Sequence, residues 1–173
     1  PEKVDHVEVG FVQEFGPQTQ LSITLFLDKG EDRLFVFEQP FAPPPPPAFR
    51  LFFENVPDFE TRGVEASLRT TPLPNLSFFI GGTFLDAIPD DLPYTPTVQA
   101  SAGVNWRFLE RFKLSLDALY MDDFEQANPR FAETSGTVGN FLLVNARLGC
   151  ELPLPGDRVK AEFFVAGENL TNT

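Results

Sequence analysis

Val98-Gln99-Ala100-Ser101-Ala102-Gly103-Val104-Asn105-Trp106-Arg107-Phe108 is followed, past Leu109-Glu110-Arg111, by Phe112-Lys113-Leu114-Ser115-Leu116-Asp117-Ala118-Leu119-Tyr120. In the first run Val98, Ala100, Ala102, Val104, Trp106 and Phe108 are apolar, and the residues between them are polar or small. In the second, Phe112, Leu114, Leu116, Ala118 and Tyr120 share one side, with Lys113, Ser115, Asp117, Leu119 and Met121 on the other. Successive side chains on a strand point to opposite faces, so this period of two predicts a two-faced hairpin. Each strand is about 9–11 residues long, which suits a tilted crossing of a bilayer and exceeds the usual strand in water. Trp106, Phe108 and Tyr120 are the candidates for the aromatic girdles that flank the apolar band of a membrane barrel.

The same alternation extends outward in both directions. His6–Phe15 reads as a first strand, with Val7, Val9, Phe11 and Phe15 on one face and Val12 as an exception. Gly16-Pro17-Gln18-Thr19 is a turn, and Leu21, Ile23, Leu25 and Leu27 mark the return strand. From Lys29 to Phe49 the pattern breaks up through a charged cluster and the prolines Pro43–Pro47, which cannot donate ladder hydrogen bonds and read as a stiff loop. Arg50–Arg69 contains a third strand, and Leu76–Phe84 is a fourth. The opening hairpin supplies strands five and six, Leu142–Leu152 the seventh and Val159–Val165 the eighth. Connections near residues 16, 72, 110 and 155 are short, whereas 29–50, 86–96 and 122–139 are long and polar. Short and long connections alternate, so all the short ones fall at one end of a meander, the pattern of outer-membrane barrels.

Composition narrows the classes. The net charge of −12 over 173 residues repels a phosphate backbone, so no nucleic-acid partner is expected. No apolar run approaches the length of a spanning helix, whereas a barrel with a polar lumen is compatible with 42% hydrophobic residues. The single Cys150 offers neither a disulfide within the chain nor a thiolate cluster. No signal peptide is legible at Pro1-Glu2-Lys3, and the chain reads as a piece of a longer one.

Several motifs then fall in a familiar order: Pro1-Glu2-Lys3 with Val7-Glu8-Val9-Gly10; Asn55-Val56 with Arg62-Gly63-Val64-Glu65; and Gly81-Gly82-Thr83-Phe84-Leu85-Asp86-Ala87. Pro96-Thr97, Leu143-Val144-Asn145-Ala146-Arg147-Leu148 and Glu168-Asn169-Leu170-Thr171 continue it. In this order and spacing the chain resembles the C-terminal barrel region of TonB-dependent outer-membrane receptors. Val7 stands where that family usually has an aromatic, and its tyrosine near Thr83 is absent. The resemblance implies an all-β, antiparallel up-and-down transmembrane barrel segment spanning 1–173, about eight strands of about 22. It also implies that the plug and the last strand lie outside this stretch. The implied setting is the outer membrane of a Gram-negative bacterium, with outer-membrane lipid, TonB through the plug region, and a small-molecule or metal-chelate ligand as partners. The implied function is active uptake of a scarce nutrient such as a ferric siderophore, with short turns toward the periplasm and long loops outward.

The chemistry of the remaining residues is modest. With His6 as the sole histidine, no histidine-based triad is possible, and no catalytic residue, metal site or cofactor is expected. Asp90-Asp91 and Asp122-Asp123-Glu125 lack calcium-loop spacing and read as solvated acids. Glu65, Arg107, Lys113, Arg147, Glu151 and Glu162 are the lumen-facing candidates, able to line a channel or hold a plug. Tyr94, Phe124, Arg130 and Phe131 are the loop candidates for substrate contact, and Cys150 reads as a lipid-facing residue. Two other readings compete: a small self-closed barrel serving as anchor or adhesin, and a soluble β-sandwich binding module with Trp106 in its core. Fluorescence of Trp106 separates the sandwich from the membrane wall. The expected result in lipid is a blue-shifted band quenched by brominated chains, whereas a blue-shifted band immune to them indicates a protein core.

Overall fold

Eight strands form one antiparallel sheet in the order β1-β2-β5-β6-β7-β8-β11-β12. The structure, a computed structural model, describes residues 3–40, 49–56, 58–90, 92–126, 136–152 and 161–172, with the backbone alone of 33–40 and 49–56. The wall strands are β1 (Lys3–Glu14), β2 (Thr19–Glu31), β5 (Phe59–Leu73), β6 (Leu76–Ile88), β7 (Val98–Phe108), β8 (Phe112–Met121), β11 (Phe141–Leu152) and β12 (Ala161–Gly167). Each pairs with its neighbour in chain order, so the wall is the expected meander.

The cross-strand register fixes which residues share a face. Val9 faces Leu25, Leu25 faces Val64, Val64 faces Phe84, and Phe84 faces Val98. Val104 continues the same face to Leu116 and Ala146. Nothing covers this apolar face among the described residues. Ala87, the one buried apolar side chain among the described residues, lies on the other face opposite Thr61, while Val9, Leu25, Ile80 and Phe163 on the apolar face are more than half exposed. A sandwich would place a second sheet on such a face, and water does not tolerate a contiguous apolar surface of this extent. The soluble reading therefore fails on packing.

The wall strands are longer than the sequence alternation suggests. β5 has 15 residues, and its first turn beyond the apolar stretch carries Glu60 and Arg62 on the apolar parity. At that end Lys3 pairs with Asp5 at 2.8 Å, Lys29 with Glu60 at 3.0 Å, and Arg62 with Asp86 at 2.7 Å. A bilayer crossing needs about 9–11 residues, so these excess turns stand beyond the apolar band at the long-connection end. Asp86, expected in a loop, lies inside β6 for this reason.

The connections hold two corrections. The stretch from Lys29 to Phe49 is not wholly irregular, because β3 (Arg33–Pro40) pairs with β4 (Phe49–Val56) as a separate hairpin. The third strand expected in Arg50–Arg69 is accordingly two elements, of which β5 alone joins the wall. Within the expected loop Asp122–Gly139, β9 (Phe124–Gln126) pairs with β10 (Gly136–Val138). The proline run Pro43–Pro47 lies outside the described residues, as do Val159 and Lys160 of the expected eighth strand.

The short connections are closed by hydrogen bonds rather than by apolar packing. Phe15 N–H donates to the Thr19 carbonyl at 2.8 Å around Gly16–Gln18. Asn75 accepts the Arg107 N–H through its carbonyl, and its side-chain amide donates to the Arg107 carbonyl, both at 2.8 Å. Between β7 and β8 the chain turns through Leu109 and Glu110, both at left-handed φ values of 48° and 61°. Non-glycine residues accept that conformation at a cost of about 1–2 kcal/mol each, which a two-strand ladder on either side outweighs. Ile80, at mid-strand on the apolar face, tests the assignment of faces. Ile80→Lys is expected to destabilise the wall by about 2–4 kcal/mol in lipid, and Ser101→Lys on the polar face to change it little, as read by denaturant unfolding in bilayers.

Candidate functional site

The polar face differs between its two halves. Toward the tight-turn end of β7, β8, β11 and β12, five of the six charged residues singled out in the sequence come together. Glu151 Oε1 lies 3.0 Å from Arg107 Nη2 and 2.6 Å from Lys113 Nζ. Lys113 Nζ also reaches Glu162 Oε2 at 2.8 Å, and Glu162 Oε1 lies 2.6 Å from Arg147 Nη2. The register explains the arrangement. Arg107 sits directly opposite Lys113, and Glu151 opposite Glu162, so each like-charged pair would repel in isolation. Bringing the two pairs alongside each other yields a ladder of alternating sign across four strands. Arg147 completes it, with its guanidinium 4.3 Å above the Phe164 ring, a cation–π contact.

Glu65 is not part of this ladder. It lies on β5 in a shallow depression lined by Ser22, Thr24, Ser67, Gln99 and Ser101. These side chains are short and uncharged, which thins the wall there. Nearer the long-connection end, His6 Nδ1 contacts Asp28 Oδ1 at 2.5 Å and its Nε2 contacts Glu8 Oε2 at 3.3 Å. Thr61 Oγ1 donates to the second Asp28 oxygen at 3.2 Å, so this histidine belongs to a polar cluster on the wall.

At the long-connection end two loops lean on each other. The Tyr94 N–H donates to the Glu125 carbonyl at 2.8 Å, and the Tyr94 and Phe124 rings stand 6.4 Å apart. Tyr94 holds a left-handed φ of 63°, which is uncommon for a residue with a Cβ. On β8 and β11 near the same end, Leu119 faces Leu143 and Met121 faces Phe141, an apolar patch on the polar parity. Arg130 and Phe131 lie outside the described residues.

The remaining candidates fall as follows. The Trp106 and Phe108 rings lie 4.7 Å apart at a tilt of 31°, and Phe108 and Phe112 stack at 5.4 Å, at the tight-turn end of the apolar face. Tyr120 stands at the opposite end, its hydroxyl donating to Asp122 at 3.4 Å. Cys150 shares the apolar face with Phe112 and Phe163. The loop acids serve local hydrogen bonds: Asp122 accepts the Asp123 N–H at 3.1 Å, and Glu125 accepts the Thr137 hydroxyl at 2.6 Å. Among the described residues no group of His, Cys, Asp and Glu could hold a metal ion.

Sequence reasoning passed over two sets of residues. Asn145 Nδ2 donates to Asp117 at 2.7 Å, and its Oδ1 accepts the Asn169 N–H at 2.9 Å. The Leu170 N–H meanwhile returns to the Val144 carbonyl at 2.8 Å, so Glu168-Asn169-Leu170-Thr171 is a turn clamped onto β11. Asn169 adopts φ 48°, a conformation that asparagine tolerates well. The second set is Phe26, Phe59, Phe79 and Phe164, aromatic residues on the polar parity. Their signal was in the alternation itself, as apolar residues out of phase.

A meander of long strands, apolar and uncovered on one face, polar and ion-paired on the other, defines a segment of a transmembrane β-barrel wall. The sequence profile of the family described as TonB dependent receptor-like, beta-barrel matches residues 1–170, and the chain belongs to that family. Among curated proteins, none matches the sequence. The fold is similar to the closed form of the ferric-catecholate import receptor Fiu of E. coli K12, with TM-score 0.70 and 18% identity. That similarity covers 100% of this chain and 24% of the receptor. The P. aeruginosa FpvA receptor in complex with iron-loaded heterologous pyoverdine gives TM-score 0.67 at 18% identity, over 100% of this chain and 24% of the other. The copper transporter OprC gives 0.69 at 14%, over 100% of this chain and 26% of the other. The chain thus spans about a quarter of the length of the solved proteins it resembles.

Lys113 is the member of the ladder that touches both carboxylates. Lys113→Met leaves Glu151 and Glu162 facing each other, so it is expected to lower the unfolding midpoint more than Arg107→Met. The difference should shrink at about 1 M salt, where screening acts within about 3 Å. Equal effects of the two substitutions at low salt would show that the ladder does not act as a unit.

Proposed function

We propose that this chain is part of the wall of a Gram-negative outer-membrane receptor that takes up a scarce nutrient, a ferric siderophore or similar metal chelate, by coupling to TonB. The observation that carries the reading is the whole-length match of an eight-strand, two-faced meander to the barrel region of this receptor family. Solved proteins of similar fold import a ferric catecholate or bind iron-loaded pyoverdine. The apolar face then meets outer-membrane lipid, and the polar face lines a lumen that holds the plug. Backbone satisfaction by interstrand bonds is what lets such a wall cross hydrocarbon.

A chelate suits the chain better than a bare metal ion. The sequence holds one His, one Met and one Cys, so it offers few soft donors to a naked transition metal. A chelated metal brings its own ligands and needs from the wall shape, hydrogen bonds and apolar contact. Tyr94 and Phe124 stand at the outward end, as does the Leu119, Met121, Phe141 and Leu143 patch, and we assign the two rings to ligand contact. The ion ladder and Glu65 line the lumen, toward the plug. Nothing in this reading requires a catalytic group.

The test uses the whole receptor in cells that lack their own copy. Radiolabelled ferric siderophore should bind and enter, and loss of TonB should abolish entry while binding persists. Entry that continues without TonB overturns the reading. Tyr94→Ala should weaken binding by about 2- to 10-fold, the range of one aromatic contact, without lowering the amount of folded receptor.

A further inference from the structure

Face parity alone does not fix the register of this wall. Sliding one strand by two residues keeps every apolar side chain outward and every polar one inward. A packed protein core would reject the slip by shape, but a fluid lipid face does not. Something else must hold the strands in step.

In three strand pairs the turn does so, because a tight hairpin sets its own register. These are β1–β2 across Gly16–Gln18, β5–β6 across Pro74 and Asn75, and β7–β8 across Leu109–Arg111. None of the three sets a phenylalanine opposite a glycine. The β2–β5 pair is joined only through the excursion that carries the β3–β4 hairpin, and β6–β7 only through residues 89–97. Here the polar face differs. Phe59 sits opposite Gly30, Phe26 opposite Gly63, and Phe79 opposite Gly103.

In each case the ring lies over the glycine where a side chain would begin. A Cβ on residue 63 would meet the Phe84 carbonyl oxygen on β6 as well as Phe26 Cζ, the latter at 2.7 Å, and one on residue 103 would stand 2.9 Å from Phe79 Cζ. A Cβ on residue 30 would collide with the Phe59 ring. A glycine opposite an aromatic thus makes a socket that covers bare backbone with a ring. A two-residue slip empties every socket. Phe79 would then face Ser101 or Asn105, and Phe26 would face Thr61 or Glu65, all of which carry a Cβ. The remaining pairs use polar counterparts. Asn145 bonds Asp117 across the long connection of β8–β11. Across β11–β12, joined by the short stretch 153–160, Phe164 stands opposite Gly149, but its ring lies against the Arg147 guanidinium and the Glu162 carboxylate occupies the space above the glycine.

We propose that the Phe59–Gly30, Phe26–Gly63 and Phe79–Gly103 joints are register keys, each admitting one alignment of two strands that no turn holds in step. Their placement follows the connections rather than the apolar pattern, and they act during assembly of the barrel whatever ligand it carries.

The test uses the full-length receptor in the outer membrane, with Cys150 and any cysteine elsewhere in it replaced by serine. Ile80→Cys with Ala102→Cys reports the native register, and Ile80→Cys with Val104→Cys reports a two-residue slip. Diagonal partners lie beyond disulfide reach, so the two pairs are distinguishable. The unmodified joint should cross-link only the first pair. Gly103→Ala should lower the folded yield several-fold or shift cross-linking to the second pair, and adding Phe79→Ala should restore the first. Gly10→Ala is the control, since a Cβ there meets Thr24 Oγ1 at an ordinary 3.6 Å. Native yield and cross-linking in Gly103→Ala, a defect that Phe79→Ala does not relieve, or an equal defect in Gly10→Ala would each overturn the proposal.

Discussion

The constraint beneath this structure is the backbone. Every peptide group in a wall strand must find its hydrogen-bond partner on a neighbouring strand, because hydrocarbon offers none. A sheet that meets this demand has no need of a protein core, and among the described residues it has almost none. The apolar face is therefore not a failed interior. Its side chains are chosen for solubility in lipid, and their shapes need not interlock.

From that follows the character of the polar face. With no jigsaw on the outside, cohesion beyond the ladder has to come from inside. The Arg107–Glu151–Lys113–Glu162–Arg147 ladder links four strands near the tight turns. Exposed single ion pairs contribute little, yet here direct opposition of like charges would destabilise the sheet without the neighbouring pair. The ladder is thus better understood as mutual relief than as a sum of independent bonds. On β2, β5, β6 and β7 the face instead carries small residues around Glu65, Ser22, Thr24, Ser67 and Ser101 with Gly81 and Gly82, which leave a depression there.

Much of this was legible in the residues themselves. Parity gave the wall strands and their faces, and it placed Glu65, Arg107, Lys113, Arg147, Glu151 and Glu162 on one side because a strand's period leaves no other choice. It could not reveal that five of them meet, since contact depends on cross-strand register, and register across a long connection is not a local property. The β3–β4 hairpin escaped because its apolar residues, Leu34, Phe35, Val36 and Phe37, occupy both parities, so no alternation announces it. The outward extensions of β2, β5 and β6 escaped for the opposite reason. Lys29, Glu60, Arg62 and Asp86 break the apolar pattern, and a charged residue at a strand end reads as loop until the register shows its partner.

The two faces also differ in how much information they can carry. On the apolar side one aliphatic residue serves nearly as well as another, because lipid adapts to either. On the polar side Gly103 cannot gain a methyl group without meeting the Phe79 ring, and Glu162 cannot change sign without stranding Arg147 and leaving Lys113 with Glu151 alone. Specificity of structure therefore sits on the side that looks least like a core. Under the receptor function we propose, the ladder charges are engaged with one another, so ligand discrimination would fall to the loops at the long-connection end. There the Tyr94 N–H is bonded to the backbone of the neighbouring segment at Glu125. A wall that stabilises itself from its polar face leaves those loops free of that structural task.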